Sequence, residues 1–384
     1  MSATASKPVY NRKNPCIARL ARAYDLTGAG APKHTRHYEF SLQGSGMEYL
    51  PGDSLAVLPQ NDPDLVDDLL QVLGADGSEM VPGNDKAPKP LREALITDYA
   101  ITQPGKKFLR AFAEKAGPES ELAGLMEPGR EKDLESYLWG QELIDLLMAA
   151  PSVKFELEEL VGTLQKLVVR LYSISSSLRA RPDQVDLTVA TVRYDSHGRS
   201  RKGVASTWLA ERIDESTEIP CFISPGKGFR MPEPEEETPI IMCGPGTGIA
   251  PFRAFLQERR ATSAKGKAWL FFGETHSEHC YFYKDEFESY LGDGTLDRID
   301  TAFSRDQETK LYVQHRMLEA ADQLFDWLEQ GAIFYVCGDA SRMAVDVDRA
   351  LHKIVERAGG KTEEQAADYI QAMKDAKRYR RDVY

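Results

Sequence analysis

The strand-like run at 239–243 breaks into Gly244-Pro245-Gly246-Thr247-Gly248 and passes directly into an amphipathic segment through Phe252 and Arg260. Nothing else in the chain narrows the possible folds as much. Bare backbone between a strand and a helix is where a doubly wound parallel sheet lets a phosphate approach the helix N-terminus. The spacing differs from Gly-x-Gly-x-x-Gly, so a tight strand–helix turn accounts for it as well. The segments that follow keep the alternation. Strand patterns at 268–272, 298–303 and 332–337 are separated by helical patterns at 285–291, 313–328 and 342–357, with a last amphipathic helix at 362–378. Such a pattern predicts a doubly wound parallel α/β domain over 238–384.

The first half has a different rhythm. Residues 17–26 and 36–42 alternate apolar and polar side chains, Tyr49-Leu50-Pro51-Gly52-Asp53 makes a turn, and 55–58 is apolar. Strand character returns at 167–174, 185–194 and 219–223. Between these sets the spacing is mostly helical, from Leu65, Val66, Leu69, Leu70 and Leu73 to Leu143, Leu146 and Leu147, with Asp62-Pro63 as a helix start. We therefore expect a polar tail at 1–14, an antiparallel β-barrel over 15–61 and 166–232, and a helical connecting insertion over 62–165. The Pro/Glu-rich stretch 232–237 reads as a linker.

A net charge of −12 argues against nucleic acid, which needs a basic face. It serves solubility or a basic patch on a partner protein equally well. The five cysteines are far apart and form no Cys-x-x-Cys, so neither a disulfide framework nor a zinc site is expected. His276-Ser277-Glu278-His279-Cys280 reads as a loop whose histidines lack metalloprotease spacing, and no metal is expected there. No apolar run nears the ~18 residues of a membrane span, and 1–14 lacks a signal-peptide core. The cytoplasm is the expected compartment, with no membrane partner.

Three further segments carry candidate chemistry. Arg170 and Tyr172 share one face of a strand and Ser173 faces the other way. A ring and a guanidinium so placed suit a flavin and its pyrophosphate. Gly203-Val204-Ala205-Ser206 opens a helix whose N–H groups suit phosphate, or form an ordinary cap. Ser304, Arg305, Lys310, Tyr312 and Gln314 lie just past a strand end. Two cations with hydroxyl and amide donors there suit a 2′-phosphate, hence NADPH over NADH.

With these motifs in place, the chain resembles the FAD/NADPH half of the diflavin reductases. Within that group it is most similar to the flavoprotein subunit of NADPH-dependent sulfite reductase, and more distantly to cytochrome P450 reductase. The likeness runs from about Tyr10 to Tyr384. It is carried by residues 49–53, 170–173, 192–195, 244–252, 303–307, 335–339 and 381–384. It implies a ferredoxin-NADP reductase-like fold. It also implies FAD contacts from Thr102, Arg170, Leu171, Tyr172, Ser173, Thr188, Val189, Ala190, Tyr194, Gly203, Val204, Ala205, Ser206 and the terminal Tyr384. NADPH contacts would come from Gly246, Thr247, Ser304, Arg305, Lys310, Leu311, Tyr312, Val313, Gln314 and Asp346, and Ser173, Cys337 and Asp382 would surround the hydride-transfer position. A glycine is common in the family where this chain has Ala190.

The resemblance further implies an FMN-binding domain ahead of the barrel, for which 1–14 leaves no room. No FMN is therefore expected in this chain. The FMN domain would be a separate protein, or cut away, or never present. The implied activity is hydride transfer from NADPH to FAD. Electrons would then pass to a haem/iron-sulfur sulfite reductase subunit or to a separate FMN protein. The alternatives are a reductase module for another acceptor, of flavodoxin or P450 type, and a non-catalytic docking subunit.

Overall fold

A computed structural model of the chain describes residues 9–384, so most of the expected polar tail, residues 1–8, lies outside the described residues. In chain order the strands are β1 (Cys16–Asp25), β2 (Thr35–Ser41), β3 (Ser54–Val57), β4 (Met80–Pro82), β5 (Pro88–Pro90), β6 (Arg170–Ser173), β7 (Gln184–Ala190) and β8 (Arg193–Ser196). They continue with β9 (Arg199–Lys202), β10 (Ile219–Ser224), β11 (Ile240–Cys243), β12 (Ala268–Glu274), β13 (Arg298–Phe303), β14 (Ile333–Gly338) and β15 (Tyr379–Val383). The chain divides into two compact units, one of 1–56, 171–190 and 214–384 and the other of 57–170 and 191–213.

The first unit holds both large sheets. One has the order β6-β3-β10-β1-β2-β7, with β10, β1, β2 and β7 pairing antiparallel. Strand β1 alternates at its start, where Cys16 and Ala18 point inward while Ile17 and Arg19 face out, whereas β2 and β7 are buried along most of their length. The other sheet is parallel, with the order β13-β12-β11-β14-β15. Strand order reverses beside β11, the place where open α/β sheets bind ligands. Here burial extends to both faces. Ile241, Cys243, Trp269, Phe271, Phe334 and Val336 pack on one side. Ile240, Met242, Leu270, Phe272, Tyr335 and Cys337 pack on the other, against Phe252, Phe255 and Leu256 of helix Ala250–Thr262. This is why the strands read as continuous apolar runs.

The second unit is mostly helical. Its core joins Val66, Leu69 and Leu70 of helix Pro63–Leu73 to Leu91, Phe108, Leu143, Leu147 and Leu160 from later helices. Asp62 caps the first of these and Pro63 begins it. The hairpin β4–β5 lies within the stretch expected to be helical. Pro88 and Pro90 have no N–H for a helix to use, and Gly83 supplies the return.

Three expectations change in detail. The pattern at 185–194 is two strands, because the Val192 N–H and C=O bond the Ser206 hydroxyl and the Gly203 N–H rather than a ladder. The helix expected at 313–328 is Val313–Glu319 followed by Ala321–Glu329, with Ala320 out of helical geometry at φ −99°, ψ 22°. Both halves bury their apolar faces in one core, so packing overrides propensity at the break. The last helix stops at Asp375, Lys377 turns the chain at φ 56°, and β15 adds an edge strand beside β14.

Candidate active site

Within the first unit, the glycine loop leaves β11 and forms a 3₁₀ turn, Gly246–Ile249, before helix Ala250–Thr262. Gly246 has φ 58°, and a Cβ there would meet only Glu274 Oε1 at 3.7 Å, so its surface is open. Gly248 is held for another reason: a Cβ would stand 2.1 Å from the Cys337 carbonyl oxygen. The loop is thus packed onto the end of β14. That contact brings it to the second feature.

Cys337 on β14 and Asp382 on β15 are register partners. Asp382 Oδ2 accepts from Ser173 Oγ at 2.8 Å and from Cys337 Sγ at 3.8 Å. Three residues separated widely in sequence therefore meet at one carboxylate. Burial, and then the Asp382 charge, push the Cys337 thiol well above its ordinary range, so the sulfur stays protonated and donates. Tyr384 lies next to this group. Its N–H bonds Gly338 O at 3.1 Å, its C=O accepts from Ala340 N at 3.0 Å, and its hydroxyl meets Thr247 Oγ1 at 3.0 Å. The backbone is pinned while the side chain stays 63% exposed, which leaves a ring face open to a partner.

The segment after β13 presents charge. Ser304 is buried, its N–H bonded to Glu274 O. Arg305 and Lys310 are exposed and have no ion-pair partner among the described residues. Gln314 reaches Asp346 at 3.5 Å, and Asp346 also pairs with Arg349 at 3.4 Å. Tyr312 is exposed, whereas Leu311 and Val313 are taken up by the core and have backbone alone to offer. On the antiparallel sheet, Leu171 is exposed, Tyr172 half-buried, and Val189 buried. Thr188 spends its hydroxyl on Tyr283 at 2.6 Å. Ala190, at the end of β7, is half-buried.

The second unit holds the remaining candidates. Gly203 caps helix Val204–Glu211, whose first free N–H groups belong to Val204, Ala205 and Ser206. Thr102 lines a cavity of about 170 Å³ with Val204, Thr207 and Lys202. Tyr194 is 44% exposed, its ring 6.3 Å from Trp139, and Arg170 is exposed.

The sequence reading missed a buried ionic group of the first unit. Arg253 is fully buried; it donates to Ser175 O at 2.8 Å and Asp186 Oδ2 at 2.9 Å, and grips Glu286 through Nε and Nη2. It also lies 4.6 Å from the centre of the Tyr283 ring. Ser177 adds two links, donating its N–H to Gln257 Oε1 at 2.9 Å and its hydroxyl to Glu258. Asp53, read only as part of a turn, accepts from Leu50 N, Gly226 N and Arg230. Segment 277–280, expected as loop, is a short helix, because Ser277 N and His276 bond Asp306 at its start. No group of three or more metal-ligating side chains occurs among the described residues.

Residues 8–208 match the FAD binding domain family, and residues 241–349 the oxidoreductase NAD-binding domain family. The chain belongs to the FAD binding domain family. It is 47% identical over 98% of its length to the sulfite reductase [NADPH] flavoprotein alpha-component of Bacillus subtilis. It is 42% identical to those of Photorhabdus laumondii, over 98% of its length, and Vibrio parahaemolyticus, over all of it. The chain spans 62%, 62% and 60% of the lengths of these three relatives. For this FAD-binding chain the donor chemistry fits the cofactors: N–H groups in the first turn of helix Val204–Glu211, an exposed ring on Tyr384, and cations at Arg305 and Lys310 with no ion-pair partner among the described residues. No helix among the described residues is long and apolar enough to cross a membrane.

Proposed function

We propose that the chain is an NADPH-dependent flavin oxidoreductase that supplies electrons to a sulfite reductase haem/iron-sulfur subunit or to a separate FMN protein. The names of the relatives support the acceptor class. The observation that carries the reading is the meeting of Ser173, Cys337 and Asp382 beside Tyr384. Bound FAD supplies hydride acceptance from NADPH and release of electrons one at a time. The protein supplies position and charge. Ser173 and Cys337 orient the Asp382 carboxylate, which opposes positive charge developing on a nicotinamide ring. The exposed ring of Tyr384 would cover the flavin and would have to give way to the nicotinamide. Arg170, Leu171, Tyr172, Ser173, Thr188, Val189, Ala190 and Tyr194, with Thr102 and Gly203–Ser206, hold FAD. Gly246, Thr247, Ser304, Arg305, Lys310–Gln314 and Asp346 hold NADPH. The division we propose is an FAD barrel of 15–61 and 166–232, a connecting insertion of 62–165, and an NADPH domain of 238–384.

The test is direct. The purified protein should be yellow, denaturing it should release about one FAD per chain, and NADPH should bleach the native form. Losing a charge-assisted contact costs roughly 1.5 to 3 kcal/mol, so Arg305→Ala should raise the NADPH KM about tenfold or more and spare NADH. A colourless protein that takes up no FAD refutes the flavoprotein reading; equal losses with both coenzymes refute the 2′-phosphate assignment.

A further inference from the structure

Cys16 and Cys221 stand directly opposite each other on antiparallel strands β1 and β10. Opposed residues in such a ladder have Cα atoms about 4.5 to 5.5 Å apart and side chains on one face. That lies inside the span a disulfide bridges. Both are free thiols facing the same buried side, Cys16 retaining 4% of its surface and Cys221 none. The other three cysteines have different neighbours. Cys243 pairs with Phe271 and Val336, Cys337 with Asp382, and Cys280 accepts from the Thr275 hydroxyl.

We propose that Cys16 and Cys221 form a reversible disulfide under peroxide, stapling β1 to β10 in the folded protein. The two thiols are chemically unequal, as such a step needs. Hydrogen bonds from Cys221 and then Ser45 hold Cys16 down to about 7 against the effect of burial. The bond to Cys16, with burial, pushes Cys221 up. Cys16 is thus the thiolate nucleophile and Cys221 the protonated neighbour. Cys16 sits beside the 42–46 turn, where Tyr10 Oη donates to Ser45 O at 2.8 Å, and it keeps 4% of its surface, the one part of the pair open to solvent.

The chemistry balances in two steps. The Cys16 sulfur attacks one oxygen of hydrogen peroxide, the O–O bond breaks, and hydroxide leaves, taking the proton that the thiol had released. The Cys221 sulfur then attacks the Cys16 sulfenic sulfur, the S–O bond breaks, and the Cys221 proton leaves with that oxygen as water. Two thiols lose two electrons and one peroxide becomes two waters. A dithiol reductant reverses the change by exchange.

The experiment treats the intact holoprotein with hydrogen peroxide, blocks thiols with an alkylating agent in denaturant, and digests with trypsin. Cleavage after Lys13 and Arg19 and after Arg212 and Lys227 isolates peptides 14–19 and 213–227, each with one cysteine. We expect them linked, two hydrogens lighter than their sum, and separated by dithiothreitol. Alkylatable thiols should fall from five to three. Cys221→Ser should strand Cys16 as the sulfenic acid and raise its labelling by dimedone about tenfold or more over the parent chain. Unlinked peptides under peroxide that oxidises a free-cysteine control overturn the proposal. So does a link to Cys243, Cys280 or Cys337, or Cys16 oxidised to sulfinic acid while Cys221 stays free. The peptide map of the unmutated chain decides the matter even if the serine variant does not fold.

Discussion

Replacing Arg253 with methionine tests the buried ionic group most sharply. The side chain keeps much of its volume and loses every donor. Two of its three acceptors can adjust: the Glu286 side chain is 31% exposed and can return to water, and Ser175 O is a neutral carbonyl. Asp186 cannot, because it has no exposed surface. The Gln184 amide still donates to its Oδ1 at 2.6 Å, but the charge is left without its counter-ion. Removing one partner of a buried pair costs about 3 to 5 kcal/mol. For a unit of about 250 residues, unfolding entropy near ~2.1 cal/mol/K per residue turns this into a drop of about 6 to 10 °C in Tm. The assay is thermal melting of four chains: the parent, Arg253→Met, Asp186→Asn and the double variant. Neutralising Asp186 removes the stranded charge, so Arg253→Met should cost at least about 1.5 kcal/mol less in that background, within the range found for contacting pairs. A single-variant cost below about 1 kcal/mol, or the same cost in both backgrounds, refutes the assignment of the stability to the Arg253–Asp186 pair.

Asp382→Asn should slow flavin reduction by NADPH about tenfold or more in stopped flow while FAD content holds, given the size of a charge-assisted contact; an unchanged rate removes Asp382 from the hydride step. Gly248→Ala forces a Cβ onto the Cys337 carbonyl, so it should cost roughly 1 to 3 kcal/mol of overpacking and slow the same reduction, read by melting and stopped flow; a neutral substitution would show that β14 yields freely. His37, buried with Nδ1 at 2.9 Å from the Tyr283 hydroxyl, is held neutral down to about 2. Burial, and then Arg253, outweigh the Asp186 and Glu39 carboxylates 3.5 and 3.6 Å from its Nε2. The unfolded chain therefore takes up a proton near 6.5 that the folded chain refuses, and stability falls with pH below that value by up to about 1.4 kcal/mol per unit. His37→Gln should flatten denaturation midpoints between about pH 6.5 and 4.5 relative to the parent, whereas parallel profiles refute a neutral buried His37.

The parallel sheet was readable because strands buried on both faces leave long apolar runs, and Gly244–Gly248 marks the turn where strand order reverses. Arg305, Lys310 and Tyr312 were readable as polar groups just past a strand end, and all three are exposed. What the sequence concealed depends on distant partners. Arg253 sits on an amphipathic helix where it looks like any solvated cation; only Ser175, Asp186 and Glu286, brought in from three other elements, make it a buried one. Nothing near Thr188 announces that its hydroxyl meets that of Tyr283, 95 positions on. Strand β15 carries two arginines in five residues, and nothing local distinguishes it from a charged tail until β14 offers an edge. The break at Ala320 likewise follows from packing, since the residue itself favours helix.

The pairing of Cys16 with Cys221 also sets an order of events on the ribosome. β1 can form its hairpin with β2 as soon as both emerge, but its other edge has no partner until β10 has been made. At about 5 to 20 residues per second that wait lasts roughly 10 to 40 s. Throughout it, a nascent β-ribbon shows an unpaired edge, the kind of surface that recruits neighbouring chains. The outward positions of β1 carry Arg19, Arg22 and Asp25, and charge along a waiting edge discourages such pairing. Residues 57–170, by contrast, form a nearly contiguous helical unit that can gather its core during the same interval. Biosynthesis of this chain is therefore staggered, with the helical segment consolidating while the first hairpin stands by.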